Sequence, residues 1–157
     1  MTRAKRLALD DQLCFALYAA TNAITRADRP LLRDIGITDP QYLTLMVLWQ
    51  EGDRSIGDIA ARLGLPGHAI TPIVDRLRAV RLVTRQRDQT DRRVVLVSLT
   101  AQGAALERAA AEVQRTVACR TGLSPRALAA LRTELHDLVE EITDRTARQN
   151  PIEGEAS

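Results

Sequence analysis

Apolar and polar positions recur with helical spacing in the middle of the chain. Apolar residues that recur three and four positions apart after Ser55 predict a short helix with one buried face: Ile56, Ile59, Ala60 and Leu63. Ser55 is predicted to cap this helix. Gly64 suits the end of this helix, and Pro66 suits the turn beyond it. A second helix is predicted to begin at Gly67 and His68, with these residues facing inward: Ile70, Ile73, Val74 and Leu77.

The pattern then changes from helical spacing to that of a hairpin. Residues 82–87 and 93–99 are rich in β-branched and apolar side chains and are predicted as strands. The polar loop 88–92 joins them and buries nothing. Two helices followed by a hairpin is the order of a winged helix-turn-helix. We therefore predict a mainly α-helical fold with a small β wing.

Two helices are predicted before this module, a long one and then a shorter one. The first begins at about Asp11 with Asp10 as its cap, and Pro30 predicts a kink or break. Its pattern ends near Gly36. The second helix begins with a capping box at Thr38 and Gln41 and ends at Gly52. Its apolar residues predict that it is nearly all buried: Tyr42, Leu45, Met46, Leu48 and Trp49.

Two further helices are predicted after the wing. Thr100 caps a helix that ends at Gly122, and Ser124 with Pro125 begins the last one. The last helix carries an apolar seam at intervals of three and four: Leu128, Leu131, Leu135, Leu138 and Ile142. One small module buries one apolar stripe but hardly three, so the first and last helices are predicted to form a homodimer. Residues 1–8 are predicted to be a mobile basic arm, and residues 150–157 a disordered tail.

Charge collects in the winged module. From His68 to Arg93 there are seven Arg and three Asp, a local charge of +4, whereas the whole chain carries only +2. A basic stripe on a helix and hairpin is typical of DNA-binding modules, so we predict double-stranded DNA as a partner. The predicted DNA-binding residues are His68, Thr71, Arg76, Arg78, Arg85, Arg87, Asp91, Arg92 and Arg93. A homodimer presents two such surfaces about one DNA turn apart, which predicts a pseudo-palindromic operator.

Composition excludes several other classes of protein. The 157 residues are 45% hydrophobic and 27% charged, which is typical of one soluble globular domain. The N-terminus lacks the apolar core of a signal peptide, and no run of about 18 apolar residues predicts a membrane span. We therefore expect a cytoplasmic protein without a membrane partner. The two histidines, His68 and His136, lie on separate predicted helices, so we expect no enzyme, no metal site and no cofactor.

Two cysteines are the remaining candidates for chemistry. Cys14 lies about one turn into the first predicted helix, where the helix dipole favours a thiolate, although Asp10 and Asp11 oppose it. Tyr18 lies four residues further on, so its hydroxyl is within reach of the sulfur. Plain burial of a structural cysteine is the commoner alternative for Cys14 and equally for Cys119.

The winged module resembles that of MarR-type transcriptional regulators. The resemblance rests on the Leu63-x-Leu65 turn, on Asp91-x-Arg93, and on these further motifs: Thr71-Pro72-x-Val74-x-Arg76-Leu77, Leu82-Val83-x-Arg85 and Val97-x-Leu99-Thr100. It implies that Asp91 shapes the wing and that Arg93 reaches a minor groove. It also implies one domain over 1–157, with dimerisation helices at 9–36 and 100–147 and DNA-binding region 38–99.

Three further segments resemble the organic hydroperoxide resistance repressors, a branch of this family: Leu9–Tyr18, Arg29–Leu32 and Pro40–Leu43. The resemblance implies that Cys14 reacts with an oxidant such as an organic hydroperoxide and that Tyr18 holds the sulfur. It also implies that Cys119 is the resolving cysteine of the two-Cys subtype. Oxidation is then expected to release the operator.

The chain departs from this branch at Asp28 and Asp39, where its members carry tyrosines of the sensor pocket. Two carboxylates raise a thiol pKa and disfavour an apolar peroxide. Two alternatives therefore stay open beside the redox-responsive repressor. One is a MarR-type repressor released by a small-molecule ligand, with cysteines that do not sense. The other is a thiol peroxidase.

Overall fold

The computed structural model describes residues 8–149, which belong to two compact units, residues 1–117 and 118–157. The helices are α1 Leu13–Asp34, α2 Asp39–Glu51, α3 Ile56–Leu63, α4 Gly67–Ala79, α5 Ala101–Ala105, α6 Glu107–Arg120 and α7 Pro125–Gln149. The strands are β1 Arg54–Ser55, β2 Val83–Arg87 and β3 Val95–Leu99. The predicted arm and tail fall outside the described residues, except for Ala8.

The beginning and the middle of α1 differ from the prediction. Residues 9–11 form a single 3₁₀ turn, and Gln12 is the N-cap of α1, so the prediction that Asp10 caps the helix was wrong. Of the kink or break predicted at Pro30, the break is wrong, because α1 continues through this residue to Asp34, and the kink stays a prediction. A proline removes one backbone donor, and Leu32, two residues further on, is fully buried and attaches this end of α1 to the core.

The end of α1 and the start of α2 agree with the prediction. The N–H groups of Gly36 and Ile37 donate to the carbonyls of Arg33 and Leu32, both at 3.0 Å, while Gly36 has a φ of +80°. This left-handed turn closes α1. The predicted capping box then opens α2, since the Thr38 N–H donates to Gln41 Oε1 at 2.9 Å. Helix α2 supplies two large core side chains, Leu45 and Leu48.

Helices α3 and α4 form the predicted helix-turn-helix. Ser55 and Asp58 cap α3 reciprocally, because the Asp58 N–H donates to Ser55 Oγ at 3.0 Å and the Ser55 N–H donates to Asp58 Oδ2 at 3.1 Å. Gly64 ends α3 with a φ of +64°. The buried side of the two helices agrees with the predicted pattern, as Ile59, Ala60, Ile70, Val74 and Leu77 are all buried.

The wing is a three-stranded antiparallel sheet in the order β1-β3-β2. Strands β2 and β3 are the predicted hairpin, in a register that pairs Val83 with Leu99 and Arg87 with Val95. Strand β1 was not predicted, because its two residues are too few to show an alternating pattern. It pairs Arg54 with Val97 and so joins the beginning of α3 to the wing.

The helix predicted from Thr100 to Gly122 is interrupted. Thr100 is its cap, since the Gly103 N–H donates to Thr100 Oγ1 at 3.0 Å, but α5 ends at Ala105 and α6 begins at Glu107. The single-helix prediction was therefore wrong at Leu106. The apolar pattern does not reveal this junction because Leu106 continues the same stripe across it. Trp49 anchors α2 to α5, as its indole N–H donates to the Gly103 carbonyl at 3.0 Å.

The second unit contains the last residues of α6 and the whole of α7. The Ala127 N–H donates to Ser124 Oγ at 3.2 Å, which confirms the predicted helix start. No described residue of α7 is buried in the single chain, and its predicted seam is partly or largely exposed, with Leu131 at 48% and Ile142 at 55%. The one-domain organisation of 1–157 stays a prediction.

Candidate nucleic-acid interface and cysteine sites

Helix α4 presents a polar face opposite its buried one. His68, Arg76 and Arg78 are exposed, and Thr71 is half-buried with its hydroxyl bonded to the Gly67 carbonyl at 3.3 Å. The first turns thus carry small or short side chains, which let a helix backbone approach base edges in a major groove. The arginines come later along the helix, where phosphates are nearer.

Asp88 organises the tip of the wing. Its Oδ1 accepts hydrogen bonds from the N–H groups of Thr90, at 2.6 Å, and Asp91, at 3.0 Å, as well as from the Thr90 hydroxyl. These bonds, with the Thr90 hydroxyl first, lower the pKa of Asp88. The turn is closed by the Asp88 N–H donating to the Val94 carbonyl at 2.9 Å. This role was not predicted from the sequence, although an Asp whose side chain accepts the backbone N–H two residues further on is typical of turns.

Asp91 and Arg93 form the predicted pair in the wing. Asp91 Oδ1 accepts the backbone N–H of Arg93 at 3.0 Å and lies 3.5 Å from its Nε. The Arg93 side chain is nevertheless 94% exposed. Arg92 beside it and Arg87 on β2 are also exposed. Three guanidinium groups are therefore accessible at or near the end of the wing.

Arg85 differs from the other predicted arginines. Its side chain is only 21% exposed, and its Nη1 lies 3.1 Å from Asp75 Oδ1 on α4. Asp75 also lies 3.7 Å from Arg78. Arg85 therefore faces α4 and lies apart from the exposed cations of the wing. Asp75 as the partner of Arg85 was not predicted from the sequence.

Both cysteines are exposed in the single chain, so neither is part of its hydrophobic core. Cys14 is the second residue of α1 and so lies in its first turn, earlier than predicted. Tyr18 is 66% exposed, and no hydrogen bond joins it to Cys14. Cys119 lies near the end of α6, in the second unit, and its carbonyl accepts the Gly122 N–H at 3.2 Å. The pairing of Cys14 with Cys119 stays a prediction.

The two departures from the hydroperoxide branch have different surroundings. Burial first, and the negative charge of Asp28 second, raise the pKa of Tyr42, so Asp28 contributes an acidic environment there. Asp39 lines a pocket of about 360 Å³ that Arg29 and Arg33 also line. The positive charges of these two arginines offset the negative charge of Asp39 in the pocket.

The described residues, 8–149, contain neither a cluster of potential metal ligands nor a helix that could span a membrane. No group of three or more potential metal ligands comes together within them. None of the helices they form is both long and apolar enough to cross a membrane.

Comparison with known proteins agrees with this architecture. A sequence model of the MarR family matches residues 35–94. The chain is 36% identical to the organic hydroperoxide resistance transcriptional regulator of Bacillus subtilis, over 84% of this chain and 90% of that protein. It is 44% identical to the HTH-type transcriptional regulator TtmR of Methylorubrum extorquens, over 82% of this chain and 69% of that protein.

A solved structure gives the same fold. It is a crystal structure of overoxidized AbfR bound to DNA, with a TM-score of 0.70 and 29% sequence identity. The match covers 85% of this chain and 94% of AbfR. The chain therefore belongs to the MarR family of DNA-binding transcriptional regulators, and not to the thiol peroxidases.

Proposed function

We propose that this regulator is a cytoplasmic repressor that binds a pseudo-palindromic operator as a homodimer and releases it when Cys14 is oxidised. The polar face of α4 carries the proposal for DNA, because it places short side chains ahead of Arg76 and Arg78. In this arrangement α4 enters the major groove, and Arg93 reaches the adjacent minor groove. Arg87 and Arg92 bind phosphates on the way.

The homodimer is proposed from the exposed apolar seam of α7. Leu131, Leu135 and Ile142 are 48%, 37% and 55% exposed, and they lie on one side of a helix of 25 residues. Full burial of a leucine side chain contributes about 1.5–3 kcal/mol of stabilisation. A second copy that covers this seam therefore stabilises the dimer. Multi-angle light scattering at micromolar concentration is expected to give twice the mass of the chain. A monomer contradicts both the dimer and the palindromic operator.

The redox step is proposed from the exposure of Cys14 in the first turn of α1, where a peroxide can reach the sulfur. The thiolate attacks the distal oxygen of a hydroperoxide ROOH. The O–O bond breaks, ROH leaves after taking up a proton, and the sulfur becomes a sulfenic acid. The Cys119 thiol of the second copy then attacks this sulfur and releases water, which leaves a disulfide. The name of the Bacillus subtilis relative supports a hydroperoxide as the oxidant.

One experiment tests this function. Fluorescence anisotropy measures the binding of the reduced protein to a duplex selected from a randomised pool, before and after one equivalent of peroxide. Wild type is expected to lose affinity, and Cys14→Ser is expected to bind equally under both conditions. Unchanged binding of oxidised wild type contradicts redox control and favours the alternative of a repressor released by a small-molecule ligand.

The choice of oxidant is part of the same experiment. The hydroperoxide branch carries a tyrosine where this chain has Asp28, and the negative charge of Asp28 raises the pKa of Tyr42. A carboxylate at this position disfavours an apolar peroxide. We therefore expect hydrogen peroxide to release DNA at least as well as cumene hydroperoxide when both are added at equal concentration. A strong preference for cumene hydroperoxide contradicts this role of Asp28.

A further inference from the structure

We propose that Arg85 is a positioning residue, which sets the wing against the recognition helix α4 through Asp75 and does not itself contact DNA. The inference rests on the proposed DNA-binding mode of α4 and the wing, and it assigns different roles to two arginines that are only two residues apart on β2. Arg87 is a contact residue, whereas Arg85 acts through Asp75.

The backbone of β2 turns Arg85 toward the protein interior. Side chains alternate across a strand, so Arg85 shares a face with Val83, which is 1% exposed. Across the hairpin Arg85 pairs with Val97, which is fully buried. From this face the guanidinium reaches α4, where its Nη1 lies 3.1 Å from Asp75 Oδ1. The ion pair thus joins two elements that must meet DNA together.

The rest of the guanidinium is enclosed. Its Nε and Nη2 are buried and have no hydrogen-bond partner in the structure. Asp75 therefore supplies the one described counter-charge for a largely buried cation. Removing one partner of such a pair leaves an uncompensated buried charge, so each partner holds the other in place. A guanidinium enclosed in this way is not available to phosphates.

The negative charge of Asp75 distinguishes positioning from direct electrostatics. It is a negative charge on the helix that is proposed to enter the major groove, and its side chain is 44% exposed. Phosphates repel a carboxylate, so electrostatics alone predicts that removing this charge strengthens DNA binding. Positioning predicts the opposite, because the wing then loses its attachment to α4. The two explanations therefore differ in the direction of the effect.

The test measures affinity for a selected duplex of about 30 base pairs, or three DNA turns, over a series of salt concentrations. The variants are Arg85→Met, Asp75→Asn and the double variant, with Arg87→Met as the matched exposed control on the same strand. Arg85→Met and Asp75→Asn are each expected to weaken specific binding about tenfold. The double variant is expected to be little worse than either single one, because both remove the same ion pair.

The salt dependence separates positioning from contact. Arg87→Met is expected to reduce the slope of log affinity against log salt by about 1. Arg85→Met is expected to leave that slope unchanged and to leave binding to an unrelated duplex unchanged. A variant that has merely lost stability weakens binding to both duplexes, and its circular dichroism spectrum reports the loss of fold.

Two results overturn the proposal. One is a reduced salt slope for Arg85→Met, which makes Arg85 a phosphate contact. The other is tighter binding by Asp75→Asn. Failure of the proposed function looks different, because wild type then selects no duplex from the pool at all.

Discussion

The arginines of the β2–β3 hairpin differ in how far their side chains are exposed. Arg93 is 94% exposed, and Asp91 is its ion-pair partner among the described residues, whereas Arg85 is 21% exposed and faces α4. The count of seven arginines predicts a basic surface but does not say which of them reach it. Strand alternation places Arg85 on the same face as the apolar Val83, although Arg85 was predicted to bind DNA with the exposed arginines.

We predict that Arg93→Ala weakens DNA binding by about 1–3 kcal/mol, because a groove contact is lost. Asp91→Ala is expected to cost less, since the guanidinium remains and only its orientation by Asp91 is lost. Anisotropy titration at fixed salt measures both. Gln89→Ala, an uncharged exposed change in the same loop, serves as the control. Affinity of Arg93→Ala equal to that of the control contradicts the assignment.

At the scale of elements, the sequence predicts those that carry their own local signals. The Thr38 and Ser55 caps correctly predict where α2 and α3 begin. The left-handed Gly36 and Gly64 correctly predict where α1 and α3 end. The errors arise where tertiary contacts decide, as at Pro30, where α1 continues to Leu32, which is buried in the core. Strand β1 exists only because β3 lies beside it.

Helix α5 approaches the wing so closely that Gly103 has no room for a side chain. A Cβ there overlaps the backbone carbonyl of Leu82, which is not free to move because its oxygen accepts the Thr100 N–H at 3.0 Å. We predict that Gly103→Ala lowers the free energy of unfolding by about 3 kcal/mol. Urea unfolding followed by circular dichroism measures this change.

Gly57→Ala is the matched control for that prediction. The nearest atom to a Cβ at Gly57 is Ser55 Oγ at 3.7 Å, an ordinary contact distance. This variant is expected to keep its stability or to gain about 0.4–1 kcal/mol, since alanine reduces the entropy of the unfolded chain. Equal stability of the two variants contradicts the close approach of α5 to Leu82.

The tip of the wing is predicted to depend on the ionisation of Asp88. Its hydrogen bonds lower its pKa from the ordinary 3.8, so the charged form stabilises the folded turn. This stabilisation is complete above pH 3.8 and is lost as the pH falls through the lower value in the folded protein. NMR titration of the Asp88 carboxyl carbon is expected to give a midpoint below 3.8. A midpoint at or above 3.8 means that the turn is not held by this carboxylate.

At the scale of the whole molecule, the remaining question is how two copies respond to oxidation. We predict a disulfide between Cys14 of one copy and Cys119 of the other, since both residues lie in the helices assigned to the dimer. The bond requires Cα atoms within about 7 Å of each other. Its formation fixes the beginning of α1 against the end of α6 of the second copy, and a changed spacing of the two α4 helices loses contacts in both half-sites.

Non-reducing electrophoresis after treatment with peroxide tests this pairing. Wild type is expected to run as a covalent dimer that a reductant returns to the monomer, and neither Cys14→Ser nor Cys119→Ser is expected to form it. A covalent dimer that persists in Cys119→Ser indicates a bond between two Cys14 residues and contradicts the pairing. DNA release without any covalent dimer also contradicts it, because a small thiol must then cap the oxidised Cys14. Mass spectrometry of Cys14 distinguishes such a mixed disulfide from over-oxidation to the sulfinic acid.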